Sequence, residues 1–112
     1  MVALSDPDPL FERLMVLNRA AFDAAHYNTA YHVLAAALHE AYARSDDDQL
    51  ALVQRIAAAQ LAGIDRDAPV YAHSTSSATA RGRTSIFTLL VRQAHTKMQL
   101  TSLASRKDQS TT

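Results

Sequence analysis

Cysteine is absent from the 112 residues. A disulfide framework is thereby excluded, and so is any thiolate nucleophile or thiolate metal ligand. Glycine and proline are scarce, at 2 and 3 residues, a composition of globular rather than disordered chains. No charge of one sign prevails, since 11 Lys+Arg face 11 Asp+Glu. That balance removes a global pull toward nucleic acid, leaves only a local basic patch as a route to it, and makes a nucleic-acid partner unexpected. No stretch reaches the roughly 20 apolar residues of a membrane span, so no membrane partner is expected. Residues 1–6 carry no basic region followed by an apolar run, so no secretory signal is visible there and a cytoplasmic location is expected.

What the chain does have is apolar mass, 48% of its residues. Much of it is alanine, whose side chain loses no rotamer entropy in a helix. The length fits a single domain, residues 1–112, able to bury roughly two-thirds of its unfolded surface in one core. An all-α fold packed through small residues is expected.

Asp8 and Pro9 suit a helix start, the first as an acceptor for free N–H groups and the second because its missing N–H costs nothing there. Leu10, Leu14, Leu17 and Ala21 then share one face, flanked by Phe11, Met15 and Phe22, with Glu12, Arg13, Arg19 and Asp23 mostly opposite. A second stripe follows at Tyr27, Ala30, Tyr31, Leu34, Leu38, Ala41 and Tyr42. No Gly or Pro separates the two, yet at about 100° per residue the second emerges roughly half a turn from the first. One rod would bury neither properly. A turn near Ala24–His26 lets both face one core, which predicts a helical hairpin over residues 9–44.

Ser45-Asp46-Asp47-Asp48 offers caps for a third helix over residues 46–64, with Leu50, Val53, Ile56, Ala57, Leu61 and Ile64 on one face. Residues 65–83, framed by Pro69 and Gly82, read as a Ser/Thr-rich loop. Thr84 or Ser85 caps a fourth helix over residues 84–104, through Ile86, Phe87, Leu90, Val91, Ala94 and Met98. Leu89, Leu100 and Leu103 form a second stripe on that helix, and residues 105–112 read as a flexible polar tail. About four helices arranged as antiparallel hairpins in a small bundle are therefore expected.

Within this pattern Leu14, Leu17, Ala21, Tyr27, Ala30, Leu34 and Ala37 carry a likeness: residues 11–44 resemble one degenerate tetratricopeptide repeat. Small residues at Ala21, Ala30 and Ala37 would let two antiparallel helices approach closely. Asn18 stands where the family prefers Gly or Ala, and Tyr42 where a Pro usually closes the repeat. A second repeat from Ser45 fits poorly, because the Ser/Thr-rich loop interrupts it. The resemblance covers about a third of the chain, and implies a TPR-like surface that binds protein. Such repeats need neighbours to bury their faces.

Candidate chemistry is sparse. His32 and His39 lie seven apart on one helix flank, near Asn28. Seven residues rise about 10 Å, too far for one metal ion without a ligand from elsewhere. His26, His73 and His95 are the other histidines that can supply one, although nothing in their spacing demands it. Asp46, Asp47 and Asp48 are explained as helix caps, and no Gly-rich phosphate loop or nucleophile elbow is present. Arg81 and Arg83, beside Gly82 and just ahead of a helix N-terminus, can hold an anion with the help of neighbouring hydroxyls. The expected function is a non-catalytic protein–protein interaction module, with no cofactor and no metal, and binding residues among Asn28, His32, His39, Arg81 and Arg83. Self-association as a homodimer is expected from the second stripe of the fourth helix. The alternatives are an anion or small-ligand binder using Arg81, Arg83 and the histidines, and then a metal-dependent enzyme using His32, His39 and acids.

Overall fold

The computed structural model describes the backbone of residues 9–110 and the side chains of residues 9–104. The expected cap Asp8, the reading of residues 1–6 and the last two residues of the tail lie outside these. The described chain is all-helical, with five helices in the order α1 (Pro9–Asp23), α2 (Tyr27–Ala43), α3 (Asp47–Asp67), α4 (Thr75–Ala80) and α5 (Ile86–Ser110). None of them is long and apolar enough to cross a membrane.

The break between α1 and α2 falls at Ala24–His26, where the phase of the two stripes requires it. Ala25 takes the left-handed conformation, φ 64°. Its N–H bonds the Phe22 carbonyl at 2.9 Å and that of His26 bonds Ala21 at 2.8 Å, the paired closure of a Schellman motif. The same pattern closes α2. Ser45 has φ 53°, its N–H reaching Tyr42 and that of Asp46 reaching Ala41, both at 3.0 Å. Asp46 then caps α3, its carboxylate accepting from the Gln49 N–H at 3.1 Å. These tight turns leave α1 packed on α2 and α2 packed on α3.

α5 packs on α3 and on α2. The core between these elements comprises Leu34, Ala37, Leu38 and Ala41 of α2, Leu50, Val53 and Ala57 of α3, Leu90 and Ala94 of α5, and Phe11 of α1. Alanines at these crossings let the helix axes close in while the leucines interdigitate. The shortest Cα extent is 16 Å, about two helix layers.

Three expectations are corrected. The buried line of α1 is Phe11 and Asn18, with Leu14 and Met15 half-buried, whereas Leu10 and Leu17 are 48% and 56% exposed. The face is turned by about one residue from the leucine stripe, because apolar side chains occupy both neighbouring stripes and packing on α2 selects the one with Phe11. Residues 65–83 are not a plain loop. α3 continues to Asp67, and the Ser/Thr run makes the short helix α4. Its hydroxyls build it: Ser74 Oγ accepts from the Ser77 N–H at 3.1 Å and donates to the Pro69 carbonyl at 2.6 Å. Asp65 takes both the N–H and the hydroxyl of Thr75, at 2.7 and 2.6 Å. Gly82, φ 70°, closes α4. Finally, α5 starts at Ile86 behind Ser85, whose Oγ accepts from the Phe87 N–H at 3.2 Å, and runs on as helix to Ser110 through most of the expected tail.

Candidate functional site

Grooves lie between neighbouring helices, and two of them bring together polar and apolar side chains from different elements. The first separates α1 from α3. Met15, Phe22, Leu52, Ile56 and Ala59 line a volume of about 440 Å³, with Arg19 and Asp23 at its rim. Those two are paired to each other at 3.0 Å. Asn18 and Gln60 also line it and are themselves 1% and 5% exposed. Their amides bond reciprocally, Asn18 Nδ2 donating to Gln60 Oε1 at 3.1 Å and Gln60 Nε2 to Asn18 Oδ1 at 2.6 Å. Asn18 Nδ2 reaches the Ala30 carbonyl of α2 as well, at 2.8 Å. One side chain thus ties three helices together, which an apolar residue at position 18 could not do. Beside this pair, α3 approaches α1 through Gly63. A Cβ there would lie 3.1 Å from Phe22 Cζ.

The second groove runs between α2 and α5 and holds about 500 Å³. Tyr31, Ala35 and His39 contribute from α2, and Leu89, Arg92, Gln93, Thr96, Lys97 and Leu100 from α5. Tyr31 meets Phe87 edge-on with ring centroids 5.9 Å apart, which fixes the near end. The Lys97 ammonium sits 4.1 Å from the centroid of the Tyr42 ring at the far end, a cation–π contact that holds the lysine stem along the helix.

The residues singled out by sequence are dispersed. Asn28 accepts a short hydrogen bond from the Tyr71 hydroxyl, and burial pushes that hydroxyl above its ordinary pKa of 10.0. Tyr71 also stacks obliquely on Tyr27 and on His73, at 5.2 and 5.8 Å. Asn28 therefore anchors the segment after α3 to the start of α2. His32 packs edge-on against Tyr31 at 5.1 Å and is exposed. His39 lines the α2–α5 groove. Arg81 and Arg83 are exposed on either side of Gly82. Among the described residues no hydrogen bond or ring contact joins them to Asn28, His32 or His39. No group of three His, Asp or Glu side chains able to hold a metal ion occurs among the described residues. The hydroxyls that an anion site would recruit from Ser74, Thr75 and Ser77 are engaged within the segment itself. Ser85 already occupies the start of α5, donating to the His73 carbonyl at 2.6 Å.

The groove residues were visible in part. Leu89 and Leu100 belong to the second stripe of the last helix, and Arg92 and Lys97 fall between them at helical spacing. Gln60 had no distinguishing signal, because only the approach of α1 and α3 brings it to Asn18. Comparison of the chain with known protein families, curated proteins and solved structures finds no match.

Proposed function

We propose that this chain is a non-catalytic protein–protein interaction module, built as two stacked helical hairpins in the manner of tetratricopeptide repeats. In this reading α1 and α2 form the first hairpin and α3 and α5 the second, with α4 an insertion in the second turn. Helix direction supports it. α1 and α3 run side by side in the same sense, Asn18 meeting Gln60 and Phe22 meeting Gly63. α2 and α5 do likewise, Tyr31 meeting Phe87 and Tyr42 meeting Lys97. The departure at Asn18 becomes intelligible, since its amide occupies the slot that a small residue would leave and bonds across to α3.

The observation that carries the reading is the α1–α3 groove, whose apolar walls stand open while its polar base is satisfied internally. Such a groove suits apolar side chains of a protein partner, with Arg19 and Asp23 at the rim for polar contacts. A photo-crosslinking residue in place of Ala59, on the groove wall, tests it against the same residue in place of Ala80 on α4. Protein adducts specific to position 59 that disappear in the Ile56→Glu background are expected; equal labelling at both positions refutes the reading. The homodimer, expected from the second stripe of α5, is proposed instead on α1, where Leu10, Val16 and Leu17 are 48%, 70% and 56% exposed. Sedimentation should show a dimer that Leu17→Glu dissociates, and a monomer at all concentrations removes self-association.

A further inference from the structure

We propose that the groove between α2 and α5 docks an acidic amphipathic helix of another protein. The site is distinct from the α1–α3 groove and does not depend on it. Its lining combines two anchors of apolar surface, Leu89 and Leu100, with Arg92, Lys97 and His39, and includes no carboxylate. α5 carries no acidic residue from Ile86 to Ala104. The nearby acid of α2, Glu40, is held by Arg44 at 2.8 Å. Among the described residues neither Arg92 nor Lys97 has an ion-pair partner, and Lys97 rests on the Tyr42 ring instead. Among the described residues, the elements that line this groove therefore bring no free carboxylate to its charge.

Shape and charge together select the occupant. Leu89 and Leu100 are three helical turns apart, about 16 Å, and are 42% and 47% exposed. A partner helix lying along the groove would meet them with apolar residues at i, i+4, i+7 and i+11, and meet Arg92 and Lys97 with Asp or Glu on its flanks. A second copy of this chain fits poorly, because a two-fold interface here sets Arg92 and Lys97 near their own equivalents. Nucleic acid also fits poorly, because the leucines offer phosphates nothing and the Tyr42 face is already covered by Lys97.

The test uses the full chain and fluorescently labelled synthetic helices in an anisotropy titration. One peptide series has leucine at i, i+4, i+7 and i+11 with glutamates between; its counterpart has lysines in their place. Saturable binding of the glutamate series is expected, weakened by added salt and by about tenfold or more in R92E/K97E. The lysine series should bind the wild type more weakly, and should gain affinity for R92E/K97E, which also shows that the variant is folded. Leu100→Ser should weaken the glutamate series without changing its salt dependence. Absence of saturable binding by the glutamate series up to about 1 mM overturns the proposal, as does equal affinity for the two series. Tighter binding of duplex RNA or of phosphatidylserine vesicles, lost in R92E/K97E, would reassign the groove and likewise overturn it. Crosslinking at position 59 should be untouched by R92E/K97E, so the two grooves are separable.

Discussion

Replacing Asn18 by leucine keeps the branched heavy-atom skeleton of the side chain but removes three hydrogen bonds at a site 1% exposed. The Gln60 amide then loses its oxygen's donor and its nitrogen's acceptor while remaining 5% exposed. A buried polar group left unpaired costs about 1–3 kcal/mol. Gln60 lines the α1–α3 groove, where water can recover part of this. A loss of about 2 kcal/mol is therefore expected for Asn18→Leu, and a similar one for the isosteric Gln60→Met. The double variant removes both partners and should lose only about 1 kcal/mol, since no amide is left stranded. The resulting cycle gives a coupling energy of about 2–3 kcal/mol. Urea melts followed by far-ultraviolet circular dichroism measure all four corners, and in heat each single change should lower Tm by about 8–16 °C. Additive effects within about 0.5 kcal/mol would show that the two amides do not act as a unit, and the account of α1 held to α3 through this pair would fail.

The left-handed turns give a reciprocal pair: Ala25→Gly should stabilise by about 0.5–1 kcal/mol and Gly82→Ala should destabilise by about 1 kcal/mol, both from denaturation midpoints. Ser74, fully buried and the cap of α4, should lose about 1 kcal/mol as Ser74→Ala, with faster amide exchange confined to residues 75–80. Burial raises the Tyr71 pKa above 10.0 in the folded chain, so its contribution is complete below the unfolded value and is lost as pH rises through the folded one. Stability should therefore fall more steeply above pH 10 in the wild type than in Tyr71→Phe, as read by thermal melts across that range. At Gly63, where an added Cβ meets Phe22 at 3.1 Å, Gly63→Val should cost about 1–3 kcal/mol and expose Phe22 to solvent quenchers.

Much of the organisation was legible along the chain. The half-turn phase shift between the first two stripes placed the break at Ala24–His26, because a straight helix cannot bury opposite faces in one core. The buried faces of α2 and α5 follow the same periodicity, with Leu34, Leu38, Phe87 and Leu90 inside. α1 was ambiguous because Leu10, Leu14 and Leu17 compete with Phe11 and Met15 at neighbouring angles. The segment 65–83 was misleading for another reason. Ser and Thr runs disfavour helix interiors, yet the same hydroxyls cap a short helix once Pro69 and Asp65 supply partners. Of the candidate binding residues, His39 lines the α2–α5 groove, and spacing could not tell it from His32.

The sequence by itself determined that this protein is helical, where it turns, and which side of most helices is apolar, since those follow from local propensity and from a period of 3.6 residues. Tertiary structure alone decided that Asn18 meets Gln60 and that Arg92 and Lys97 share a groove with His39. Residues so far apart along the chain become neighbours only through packing, and no local rule encodes which polar side chains face each other across two helices.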